Sequence, residues 1–279
     1  MPLFLAALSS LTFGVADFLG GLATRYAPAL TITVGVNAIG LGGVGVALVF
    51  VGGAAAPSDL AWGALAGICG STGLVVYYHA LATTRMSVSA PVAAVMGALA
   101  PVAFGVIVGE RPAPVAWIGV GLALPAVVLI GAGARNSRAA NASPGRAVLL
   151  GLTSGTLFGF FGIFLSRSAA ESGMWPLAGA RGAALLLIAT VALSRGRPLV
   201  ATGHPGRLMV TAGILDLVAN MMFLVAVRLE LLALVSVIMS MYPAATVGLA
   251  RFVLHERVDR VQAVGMALAV VALALIVAA

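Results

Sequence analysis

Of the 279 residues, 62% are hydrophobic and only 8% charged, and the mean hydropathy is +1.15. A soluble domain carries roughly 25% charged residues, so this composition excludes a water-facing fold and leaves almost no chain for a soluble domain. The net charge of +7 comes from arginine alone, because the sequence has no lysine. Most of the arginines sit in short gaps between apolar runs, where they set topology and meet anionic headgroups rather than nucleic acid.

A spanning helix needs about 20 predominantly apolar residues. That length predicts ten spans in chain order: 3–23, 30–51, 60–82, 87–108, 113–133, 147–166, 174–193, 208–227, 232–253 and 261–279. Turn-forming residues mark the breaks, among them Tyr26-Ala-Pro28, Pro57-Ser-Asp59, Thr83-Thr84-Arg85 and Arg195-Gly-Arg-Pro198. Met1-Pro2 runs directly into the first span without a basic region, so no cleavable signal is expected there. Cys69 is the lone cysteine, which leaves no intrachain disulfide and no multi-cysteine metal site. No cofactor is called for.

One stretch occurs twice. Pro101 leads to Gly109-Glu110-Arg111 with Gly119 in the next span, and Pro243 leads to His255-Glu256-Arg257 with Gly265 in the next. A shift of 146 positions superposes Glu110 on Glu256, Arg111 on Arg257 and Gly119 on Gly265. An internal repeat of half the chain follows. The polar stretch 134–146 then reads as a linker between a first repeat, 1–133, and a second, 147–279. Five spans per repeat force the halves into opposite orientations in the bilayer, the inverted-repeat plan of many secondary transporters.

With these motifs the chain resembles the drug/metabolite transporter superfamily in its ten-helix form with two EamA-type repeats. The likeness rests on the Pro-containing helix, the Glu-Arg turn and the Gly-bearing last helix of each half. It departs at His255, where the family turn has Gly. Pro176 with Arg181 fits the family's Pro-then-Arg helix, while the first half has Pro28 and Asn37 instead. The resemblance implies a multi-pass protein of the bacterial cytoplasmic membrane that exports a small metabolite, such as an amino acid. It also implies termini on the cytoplasmic side. Arginine counts point the other way: the gaps after odd-numbered spans hold ten arginines and those after even-numbered spans hold Arg111, Arg167 and Arg228.

Ionisable groups inside a bilayer cost several kcal/mol unless paired or hydrated, so each marks a site to explain. Asp17 lies in the first span near Phe13, Gly14 and Gly21; it reads as a proton or cation site, or as a buried ion pair with Arg181. Asp216 and Asn220 are four residues apart in the eighth span and share a face. They can carry a proton or orient an amine, or simply bridge helices for about 0.6–2 kcal/mol. Arg181, two turns into the seventh span, suits a solute carboxylate or snorkels to the interface. His79, after Tyr77-Tyr78, can relay protons, and the tyrosine rings can line a cavity, which places Tyr77 among the candidate site residues; tyrosines near a span end also fit an interfacial belt. A lone histidine without acidic or thiol neighbours at ligand spacing is weak as a metal site. Asn37, Thr153, Ser154, Thr156, Ser236, Ser240 and Tyr242 are polar groups in spans, cheap enough to serve as packing contacts; Asn37, Ser236 and Ser240 join the candidate substrate site. The aromatic run Phe158, Phe160, Phe161 and Phe164 reads as packing or lipid contact before substrate contact.

The expected function is therefore secondary transport of a small organic solute at a site between the repeats, with Asp17 and Asp216 as candidate proton carriers and no nucleic-acid partner. An importer or facilitator, a membrane scaffold and an intramembrane enzyme are the alternatives. The last would need a converging catalytic constellation, and the sequence has none of the motifs. Each Glu-Arg turn is expected to be structural, its Glu capping the following helix or pairing with its Arg.

Overall fold

The computed structural model describes residues 2–51, 53–54, 56–107, 114–135, 144–165, 167–228 and 242–277. Among them are ten α-helices and no strand. They are α1 Pro2–Ala23, α2 Ala29–Val51, α3 Pro57–Thr83, α4 Met86–Ile107, α5 Pro114–Arg135, α6 Pro144–Leu165, α7 Trp175–Ser194, α8 Gly203–Arg228, α9 Tyr242–Val253 and α10 Arg260–Val277. A 3₁₀ turn, Ala170–Ser172, sits between α6 and α7. In hydrocarbon every backbone N–H and C=O must bond within the segment, which leaves the helix as the solution for a chain of this composition. Four helices, α2, α3, α6 and α7, are long and apolar enough to cross a membrane, and α1, α4, α5 and α10 contribute shorter apolar stretches.

Apart from the ninth, 232–253, which falls within the described residues only from Tyr242, the predicted spans match these helices to within a few residues. α3 begins at Pro57 and α8 at Gly203, ahead of their predicted starts. Hydropathy marks the lipid-embedded part, whereas a helix continues through polar residues into the headgroup layer until a residue such as Pro57 starts it.

Helix pairing follows the repeat. The main contacts are α1 with α8 and α9, α2 with α7 and α8, α3 with α6 and α7, α4 with α6 and α9, and α5 with α10. Exchange each helix for its counterpart five places on, and the pairs α1–α8, α2–α8 and α1–α9 become α6–α3, α7–α3 and α6–α4. The pairs α2–α7, α4–α9 and α5–α10 map onto themselves. The chain is thus an all-α polytopic membrane protein built as two interlocked inverted repeats.

Lipid is as apolar as leucine, so the helices are held by close packing rather than by apolar burial alone. A Cβ on Gly67 would collide with the Ala180 carbonyl of α7, and one on Gly155 with the Ala93 carbonyl of α4. The repeated glycine of the last helices finds its role in the α5–α10 pair. Gly265 lies on Ala126 and Ile130, and Gly119 is buried.

Contacts between the repeats also clamp both ends of the bundle. At one end the buried Asp59 carboxylate of α3 accepts hydrogen bonds from the Ser172 hydroxyl and from the Ala169 N–H at 3.1 Å. At the other, Glu256 accepts the backbone N–H groups of Met86 and Ser87 at 3.1 and 3.0 Å. Glu256 therefore caps α4 of the first repeat, and not α10 that follows it. The carboxylate reaches the neighbour's free N–H groups because His255, at φ 55°, turns the chain back through the left-handed region. Glu110, Arg111 and the linker residues 136–143 lie outside the described residues.

Candidate functional site

The charged residues singled out in the spans come together between the repeats. At 1.5 Å per residue, Asp17 lies about 9 Å from the end of α1 and Asn37 about 12 Å from the start of α2. On the same scale Arg181 and Asp216 lie about 20 Å from the matching ends of α7 and α8. All four are therefore well inside a hydrocarbon layer about 30 Å thick.

Arg181 pairs with Asp216, Nη2 to Oδ2, at 2.7 Å. Its Nη1 donates to Asn37 Oδ1 at 3.4 Å, a long contact, and Asn37 Nδ2 donates to the Thr33 carbonyl at 2.9 Å. The ion pair expected as one reading of Asp17 thus forms with the other aspartate. Gly40 makes the arrangement possible: a Cβ there would come within 3.1 Å of the guanidinium carbon. Both side chains keep some accessible surface, 13% for Arg181 and 17% for Asp216. The pair is therefore not fully buried.

Asp17 is partly accessible in the same way. Its carboxyl faces Tyr77, and it is within electrostatic range of Asp216. Tyr77 is fully buried, and its hydroxyl has no hydrogen-bond partner of ordinary geometry among the described residues. Tyr242 of α9 completes this corner, next to Tyr77 and Asp17. On the other side Phe158 stands edge-on to Tyr77, with centroids 5.6 Å apart. The aromatic run of α6 thus divides: Phe158 turns inward, while Phe160 is 40% exposed and stacks on Phe164.

The remaining candidates fall elsewhere or play quieter parts. Asn220 donates Nδ2 to the Asp216 carbonyl one turn back, 2.7 Å away. That bond stays within α8 and leaves the Asp216 carboxylate to Arg181. His79 faces away from Tyr77, two residues before it, and sits 3.1 Å from Arg146 Nη2 through its Nε2. A guanidinium can only donate, so Nε2 accepts and the ring carries its proton on Nδ1. Ser236 and Ser240 lie outside the described residues. Thr153, Ser154 and Thr156 bond to carbonyls of their own helix, as packing residues do. Tyr242 belongs to the site and was read from the sequence only as a packing contact. Its place in the middle of the predicted span 232–253, far from either interfacial belt, was the available signal. Among the described residues no three or more His, Cys, Asp or Glu gather as a metal site.

The family model described as "EamA-like transporter family" matches residues 1–132 and again 145–278. The chain belongs to that family. As an EamA-like transporter it is a multi-pass membrane protein that handles small solutes, and its family is one of carriers rather than enzymes. No curated protein matches the sequence. Among solved structures, one titled "Crystal structure of protein" has 20% identity and a TM-score of 0.61, over 96% of both chains. At that identity the likeness speaks for the fold. It extends over the whole ten-helix bundle.

Proposed function

We propose that this EamA-like protein is a secondary transporter that exports small, amino-acid-like solutes in exchange for protons. Access would alternate at a site between the repeats 1–133 and 147–279, which the linker 134–146 joins. One observation carries the reading: deep in the bundle Arg181 pairs with Asp216, and Asp17, facing Tyr77, lies within electrostatic range of that pair's carboxylate. A zwitterion has the complementary groups. Its ammonium is drawn to the Asp17 carboxylate, and its carboxylate competes with Asp216 for the Arg181 fork. Displaced from Arg181, the Asp216 carboxylate loses its cationic partner among apolar helices. Solute binding and proton binding are then linked through a single guanidinium.

Proteoliposomes loaded with radiolabelled amino acids test this. A proton gradient should drive flux through the wild-type protein, and Asp17→Asn and Asp216→Asn should each reduce it to the level of empty vesicles. Unchanged gradient-driven flux in both variants would sink the coupling role. A thermal-shift screen against metabolites names the solute class independently, since a ligand at a hundred times its Kd stabilises by about 2.7 kcal/mol.

A further inference from the structure

A second site lies apart from the central cluster, at the end of the bundle where α2 begins and α3 and α7 finish. An open cleft of about 730 Å³ is lined there by Pro28, Ala29, Leu30, His79, Arg195 and Arg197. Its volume is that of an ordinary small-molecule pocket, and none of its lining residues is acidic. Arg195 and Arg197 make no ion pair among the described residues. His79 holds a third guanidinium, that of Arg146, at the rim.

The walls are fixed. The Thr31 hydroxyl of α2 donates to the Pro198 carbonyl at 2.6 Å, stapling the α7–α8 loop to the start of α2. From that loop the Arg197 N–H returns to the Ala192 carbonyl at the end of α7, 2.8 Å away. Two cationic side chains are thereby anchored through their backbone at the mouth of a preformed cleft. The start of α2 adds the positive end of a 23-residue helix. A neutral His79, with its Nε2 engaged, presents Nδ1–H as a further donor.

We propose that this cleft binds a phosphate group, carried either by an anionic lipid headgroup or by a free solute. Phosphate is the match because it offers several acceptor oxygens to guanidinium forks and a charge that the helix end favours. The cleft opens at the end of the bundle, where both sources are within reach. Nothing in this assignment depends on what the central site carries.

Purified full-length protein in neutral micelles, mixed with either phosphatidylglycerol, phosphatidylcholine or inorganic phosphate, distinguishes the sources. Phosphatidylglycerol should raise the Tm and remain bound in native mass spectra if the headgroup is the ligand. Inorganic phosphate alone should raise the Tm if a free anion is. In either case Arg195→Gln with Arg197→Gln should weaken binding by about 30-fold, the change expected for two arginines near a charged surface. His79→Gln should weaken it several-fold by releasing Arg146. Both loop arginines are exposed, so the double variant should keep its ligand-free Tm; should it not, Arg197→Gln alone replaces it. Equal responses to phosphatidylglycerol and phosphatidylcholine with none to phosphate, or a variant that binds like wild type, would overturn the assignment.

Discussion

An arginine about 9 Å and an aspartate about 18 Å from the nearer ends of their helices can remain charged only by virtue of each other and of what surface stays accessible. Removing one partner leaves the other charge uncompensated, which in a buried pair costs about 3–5 kcal/mol. With 13% and 17% of the side-chain surfaces accessible, the lower part of that range is expected here. Arg181→Ala and Asp216→Ala should each destabilise by about 3 kcal/mol, and the double variant by little more than either alone. Reversible unfolding in mixed micelles measures all three. Additive losses would show that the two side chains act separately. The sequence already marks Asp17, Arg181 and Asp216, because the cost of charge in lipid is a property of each residue. Their partners were not legible. Asp216 is 35 positions from Arg181 and Asn37 is 144, and no local pattern distinguishes which aspartate the arginine meets.

Helix positions were legible across the described residues because hydropathy is read one segment at a time. The repeated Glu-Arg turn was legible as a mark and obscure as a device, since the groups that Glu256 caps are about 170 positions away in sequence. Two charge-assisted hydrogen bonds to the buried start of α4 stabilise it by about 1.5–3 kcal/mol each at most. Glu256→Ala should therefore lower the unfolding free energy by about 2 kcal/mol, and Glu256→Gln by about half as much. Hydrogen exchange should quicken first at the Met86 and Ser87 amides; unchanged protection there would contradict the capping role. Packing between elements is stricter still. Gly67→Leu places a side chain where the Ala180 carbonyl runs, so α3 and α7 must separate. That variant should lose its folded yield in size-exclusion chromatography, while Gly42→Leu, which meets nothing within 4 Å, should keep it.

At the scale of the molecule the repeats interlock: α1 lies on α8, and α3 lies on α6 and α7. Neither half has its main partners within itself. Residues 1–140 and 141–279 expressed separately should be degraded, and co-expressed they should reassemble into a ligand-responsive bundle. A stable, monodisperse first half on its own would show that the halves are independent. The same interlocking has a cost during synthesis. The Ser9 hydroxyl bonds to the Ala219 carbonyl, 210 positions later, and the Gly14 carbonyl accepts from Thr246, 232 positions later. A ribosome adding about 5–20 residues per second needs about 10–40 s to deliver those partners. Through that interval α1, carrying Asp17, Ser9 and Ser10, has no lasting place in lipid. The polar face of α1 that the finished bundle pairs with the second repeat is the one that the insertion machinery must shelter in the nascent chain.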